Sequence, residues 1–332
     1  MPPHPIEDAS ADSLFGGLTA EEFYRKHGVT HNAEWMINER GMRLFTQSWE
    51  PTICSGRSKG LLVLLHGFTG NSSWTVQLTA IGLAAHGYSV HALDHQGHGR
   101  SDGLRAHIPD VAVLVDDCAQ LALRARRESC HPGPYFYMGE SLGGALALLL
   151  HLNYPALHCD GVVLVGAMCG ISPAFQPPRV LVRLLGVAAT LIPTLPIVPT
   201  KAIPQLSFKE PWKLELVLRD PDRIMLRPRP ATALALLRAA TEIQQRAKEV
   251  QAPLLVTHGE EDVVCDPEGA RTLFNAATSS DKTLRMYSGM WHQLVGEPKP
   301  NVDIVFSDIC SWLDTRSGAT SSSPTASCQP LP

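Results

Sequence analysis

Five short runs punctuate the chain in which nearly every position is apolar: Gly60–His66 (GLLVLLH), Tyr88–Asp94 (YSVHALD), Tyr135–Met138 (YFYM), Gly161–Gly166 (GVVLVG) and Pro253–His258 (PLLVTH). A strand wetted on one face alternates apolar and polar residues, whereas a run with no polar side marks a strand covered on both faces. Between these runs, Thr75–His86, Val111–Arg127 and Leu142–Asn153 carry apolar residues at helical spacing. Thr283–Tyr287 adds a late strand and Val302–Leu313 a closing helix. The alternation predicts an α/β architecture with a mostly parallel central sheet.

The rhythm breaks between about residues 170 and 250, where repeated prolines punctuate short helical pieces and no strand pattern occurs. This region reads as a helical cap inserted late in the sheet, above the carboxyl ends of the strands where such sheets bind ligands. The expected layout is then a disordered tail over 1–20, a core over 21–169, a cap over 170–250, the resumed core over 251–313 and a second disordered tail over 314–332. Both tails are poor in apolar periodicity and the second is rich in Ser, Thr and Pro.

The pattern G-x-S-x-G occurs three times, at Gly56–Gly60 (GRSKG), Gly99–Gly103 (GRSDG) and Gly139–Gly143 (GESLG). A nucleophilic serine on this pattern needs a strand before it and a helix after it. Only the third has both, YFYM before and LGGALALLLHLNY after, so Ser141 is the candidate nucleophile. Serine is a weak nucleophile at its ordinary pKa and needs an adjacent base, itself oriented by an acid. In the chain order Ser, acid, His, the sole histidine after His258 is His292, in GMWHQL. For the acid, Glu260, Glu261, Asp262 and Asp266 crowd the loop after LLVTHG; Asp262 is the choice, although spacing alone leaves Glu261 open. The tetrahedral intermediate needs oxyanion donors, and the backbone N–H groups of Leu142 and Phe68 are best placed. His66 reads as a residue that shapes its Gly loop.

Composition narrows the field. Lys+Arg number 28 against Asp+Glu 32, for a formal charge of −4, with 6% aromatics and no like-charge block. No electrostatic footprint for nucleic acid follows from that. The 8 cysteines form no C-x-x-C pair, and His95, His98 and two aspartates in DHQGHGRSD sit in a Gly-rich turn, so no metal or other cofactor is expected. The N-terminus lacks a basic start and apolar run, which points to a reducing, cytoplasmic setting. Val180–Pro199 approaches bilayer length, but Arg183 and three prolines interrupt it; a lid or membrane-touching segment fits better than a span.

HGFTGNSSW, LDHQGHGRSDG, GESLGG, HGEEDVVCDP and GMWHQLVGEP, in this order, resemble the monoacylglycerol lipase family of serine hydrolases. The plant branch, which also holds caffeoylshikimate esterases and lysophospholipase-like members, is the closest match. The resemblance runs from about Glu21 to Leu313. It implies the α/β-hydrolase fold, a Ser141–Asp262–His292 triad, an oxyanion hole at Phe68 and Leu142, and Asp262 as the acid, since the family carries it as the aspartate of an HGxxD segment. It further implies an ester substrate, a monoacylglycerol or another single-chain lipid ester, with caffeoylshikimate or a lysophospholipid as alternatives and a cap that admits an acyl chain and touches membranes. HGFTGNSSWTVQ departs from the phenolic-ester branch, where a tyrosine is expected in this loop.

Overall fold

The computed structural model describes residues 3–52, 58–128, 133–170, 177–200 and 203–318. Eight strands, β1 (Val29–Ile37), β2 (Arg43–Pro51), β3 (Leu61–Leu65), β4 (Ser89–Leu93), β5 (Tyr135–Glu140), β6 (Gly161–Val165), β7 (Leu254–Gly259) and β8 (Lys282–Tyr287), form one sheet. Their order is β1-β2-β4-β3-β5-β6-β7-β8; β1 and β2 are antiparallel and every pairing from β4 to β8 is parallel. The apolar runs fall where the sheet is covered on both faces, and all five residues of β3 are buried.

The helices in chain order are α1 (Ala20–Lys26), α2 (Thr75–Ala85), α3 (Val111–Glu128), α4 (Leu142–Asn153), α5 (Arg179–Leu191), α6 (Ile203–Ser207), α7 (Pro211–Leu218), α8 (Pro230–Arg246), α9 (Pro267–Ala276) and α10 (Lys299–Arg316). One face of the sheet is closed by α3, α4, α8 and α9, through residues such as Leu114, Leu146, Ile243 and Leu273. The other is closed by α2 and α10, through Leu78, Ile81, Phe306 and Ile309. Burying such side chains contributes about 1.5–3 kcal/mol each.

The β1–β2 hairpin had no apolar run to announce it, because β1 lies at the sheet edge and buries few of its residues. Its turn is built by Asn38, whose Oδ1 accepts the N–H groups of Arg40 and Met42, with Gly41 at φ +76°. Asn38 Nδ2 and the Arg40 guanidinium both donate to Asp117 on α3, which fixes the hairpin to the body. Burial pushes Asp117 up to about 6.

Three boundaries differ from expectation. Residues 3–20 are not a disordered tail: a 3-10 turn at Pro5–Asp8 seats Ile6, fully buried, and Leu14 is buried as well. The reason is a notch at Gly82 of α2, where an added Cβ would lie 2.8 Å from both Pro5 Cδ and Phe306 Cζ. At the other end α10 runs past 313, and Asp314 accepts from Lys59 Nζ, His86 Nε2 and Tyr88 OH, each at 2.9 Å; residues 319–332 lie outside the described residues. Lastly, α8 falls inside the expected cap range but belongs to the body, since Ala235, Ala239 and Ile243 are buried in the core beside α4. The cap proper is α5–α7.

The apolar stretch Val180–Pro199 forms α5 and the segment after it. Among the described residues no helix is long and apolar enough to cross a membrane. None of α5 is buried: Val180, Leu181, Leu184, Val187 and Leu191 are 56–74% exposed, while Leu185 and Ala189 are half-buried.

Candidate active site

Strand β5 delivers Ser141 and α4 leaves it at once, so the turn between them is tight. Ser141 has φ +53° and ψ −118°, a backbone conformation that costs an ordinary residue about 1–3 kcal/mol. Its backbone is pinned on both sides: its N–H donates to Val165 O (3.1 Å) and its carbonyl accepts from Met168 N (2.9 Å). The glycines around it are required by contact. A Cβ at Gly143 would lie 2.0 Å from Leu65 O, and one at Gly139 would lie 2.1 Å from Gly143 O.

His292 and Asp262 arrive from the other half of the sheet. Asp262 sits in the loop after β7, and His292 in the loop after β8. Both are buried, and His292 Nδ1 lies 2.7 Å from Asp262 Oδ2. The same Oδ2 is 3.1 Å from His258 Nε2, while Oδ1 accepts the N–H groups of Val264 (2.7 Å) and Cys265 (2.9 Å). Burial alone would raise the Asp262 carboxyl, but the bonds from His258 and His292 hold it well below the usual carboxylate range. Its competitors do not reach His292 by any such bond. Glu260 pairs with Arg271, Glu261 is exposed, and Asp266 caps α9 by accepting from Glu268 N.

With Nδ1 committed to Asp262, His292 keeps Nε2 for a cavity of about 60 Å³ that it lines together with Ser141, Gly67 and Phe68. Leu142 is the first residue of α4, so its N–H has no intrahelical acceptor. Phe68 lies in the turn after β3, where Thr69 takes φ +67°. Ser141, His292 and Phe68 line one cavity, with Leu142 next to Ser141 in the chain, and a serine, a histidine bonded to a carboxylate and nearby backbone N–H groups are the parts that acyl transfer calls for.

Residues 56–299 match the Hydrolase_4 family, described as serine aminopeptidase, S33. The chain belongs to this family. It is 30% identical to caffeoylshikimate esterase of Arabidopsis thaliana over 94% of each chain. It is also 30% identical to monoglyceride lipase of Homo sapiens, over 85% of this chain and 90% of that one. The crystal structure of Paleococcus ferrophilus monoacylglycerol lipase superposes with a TM-score of 0.71 at 23% identity, covering 82% of this chain and 99% of that one. The fold is thus that of the α/β-hydrolases, and the chain is a serine ester hydrolase of that superfamily.

In this S33-family hydrolase the other two G-x-S-x-G serines serve the scaffold. Ser101 Oγ donates to Asp94 O (2.6 Å) and accepts from Phe45 N (2.9 Å). Ser58 Oγ donates to Gly60 O; Gly56 and Arg57 of the first match lie outside the described residues. His66 is fully buried, with Nδ1 against Gly67 O (2.8 Å) and Nε2 accepting from His95 N (3.0 Å), so it braces the Phe68 turn; burial pulls its pKa down to about 4. Asp94 accepts from Ser72 N, Ser72 Oγ and Arg100 N, tying DHQGHGRSD to the same turn.

The second histidine on Asp262 was not legible from spacing as a member of the site, although His258 and Asp262 stand four residues apart. We expect His258→Ala to lower kcat about tenfold, the size of one hydrogen bond to a charged group. His258→Gln, which still offers an N–H, should recover most of that loss in steady-state kinetics; equal rates for both variants and wild type would remove His258 from the site.

The His292 loop is also tied to the cap. Gln293 N donates to Ser207 O (3.0 Å), Glu210 N to Gly296 O (3.0 Å), Lys209 Nζ to Gly289 O (2.6 Å) and Lys213 Nζ to Glu297 O (2.8 Å). Glu297 in turn accepts from Trp291 N, the residue before the histidine (2.7 Å).

Proposed function

We propose that this hydrolase cleaves a monoacylglycerol or a similar single-chain lipid ester through an acyl-enzyme on Ser141. Ser141 Oγ attacks the ester carbonyl carbon while His292 Nε2 takes its proton. Asp262 holds the resulting imidazolium, and the N–H groups of Phe68 and Leu142 receive the oxyanion. The imidazolium returns the proton to the departing alcohol, and water repeats the cycle on the acyl-enzyme.

The observation that carries the lipid assignment is what adjoins the site. Phe68 and Ile203 line both the cavity at Ser141 and a neighbouring pocket of about 210 Å³, whose further wall is Ile224, Met225 and Leu226. That pocket is the candidate acyl channel. The exposed apolar side chains of α5 suit contact with a membrane or lipid aggregate instead.

Hydrolysis of monoacylglycerols of rising chain length tests the assignment. We expect kcat/KM to rise by up to about fourfold per methylene until the pocket is filled, the equivalent of roughly 0.8 kcal/mol per buried CH₂. A second reading, a phenolic ester substrate, is favoured by the caffeoylshikimate esterase relative, which matches along 94% of both chains. A flat chain-length response with selective turnover of caffeoylshikimate would replace the first reading by the second.

A further inference from the structure

The cavity at Ser141 has two unlike sides. One runs from Phe68 and Ile203 into the apolar pocket; the other carries Glu140, Asp220, Arg223 and Gln293. The chain crosses from the polar wall to the apolar one in a single step, from Arg223 to Ile224.

The polar groups differ in how far their hydrogen bonds are already satisfied. Asp220 Oδ2 accepts from Asn71 Nδ2 (2.7 Å) and its Oδ1 from Asp222 N (2.9 Å). Glu140 is bonded by the Gly67 N–H and the Gln293 side chain. Arg223 is the exception: its Nε is buried without an acceptor, and its guanidinium makes no hydrogen bond or ion pair among the described residues. A buried charged donor left unpaired is costly, and it persists in a binding cavity where a ligand supplies the acceptor.

The charges around it restrict what that acceptor is. Glu140 and Asp220 both act electrostatically on Arg223, so this wall already sets two carboxylates against one cation. A phosphate or carboxylate on the substrate would add a third negative group. A hydroxyl oxygen accepts from the guanidinium and adds none.

We propose that Arg223 selects the alcohol half of the ester, donating to the hydroxyl oxygens of a neutral polyhydroxylated leaving group while the acyl chain lies against Ile224–Leu226. This rests on the lipid-ester reading above. It makes Arg223 a specificity residue, set apart from the proton-transfer machinery.

The test compares 1-monododecanoylglycerol with methyl dodecanoate, which shares the acyl chain and lacks the polyol, and with the phosphate-bearing dodecanoyl lysophosphatidate. For Arg223→Met we expect kcat/KM on the monoacylglycerol to fall about 10- to 100-fold more than on the methyl ester, chiefly through KM. Arg223→Lys, which keeps a donor, should fall between Met and wild type. Equal losses on both esters, or no loss on either, would overturn the proposal, and a larger loss on the lysophosphatidate would make the site anion-selective. The underlying reading is judged separately, by whether wild type turns over the monoacylglycerol above a Ser141→Ala blank.

Discussion

Ser141→Ala is expected to reduce ester hydrolysis by roughly a million-fold and to abolish labelling by a fluorophosphonate, with the fold retained. The size follows from the division of labour in the site: without Oγ, the Asp262–His292 pair has no proton to take, and only the oxyanion donors and binding remain. Retention of the fold follows from what Oγ touches: among the described residues its hydrogen-bonding partner is Cys265 Sγ, at 3.8 Å. The backbone bonds to Val165 and Met168 do not depend on the side chain. Ser141→Gly should be at least as stable as wild type, because glycine takes φ +53° at little cost. Substantial hydrolysis by Ser141→Ala, with Ser101→Ala inactive, would move the nucleophile to another loop. Parallel melting curves distinguish chemical loss from unfolding.

Gly143→Ala is expected to destabilise the protein by about 3 kcal/mol or more, whereas Gly186→Ala should stabilise it slightly. Both glycines are inside helices, so intrinsic propensity favours alanine equally at the two sites. Their surroundings decide otherwise. A Cβ at Gly186 meets nothing within 4 Å, while one at Gly143 lies 2.0 Å from Leu65 O, 2.6 Å from Leu65 C and 2.8 Å from His66 O. These are backbone atoms of β3 and the turn leading to Phe68, with no flexible side chain to step aside. Relief requires α4 to move away from β3, which displaces Leu142 N–H from Phe68. Folded Gly143→Ala should therefore lose activity beyond its loss of stability. Chemical unfolding of both variants checks the contrast, and similar midpoints would mean that the close approach is not a constraint.

The sequence made legible whatever depends on local pattern. Ser141 could be singled out because a continuous apolar run precedes it and a helical pattern follows, and His292 because no other histidine remains after His258. Asp262 needed the family resemblance; in the structure it is set apart from Glu260, Glu261 and Asp266 by its bond to His292. What stayed hidden was held by tertiary contact. Strand β1 buries too little to show a run and β2 mixes polar Thr46 and Gln47 into its buried residues, and the turn that carries Ile6 is seated where Gly82, more than seventy residues away, leaves a notch for Pro5. Arg223 lies in a proline-rich stretch with no motif. Its meaning comes from lacking an acceptor beside Ser141, which no spacing encodes.

The four bonds that join Ser207, Lys209, Glu210 and Lys213 to the loop bearing His292 have a mechanical consequence. They fasten the α6–α7 piece to the loop that carries His292, so an outward swing of this part of the roof would drag the imidazole away from Ser141. Admission of substrate and competence for reaction would then exclude each other in time if the gate were there.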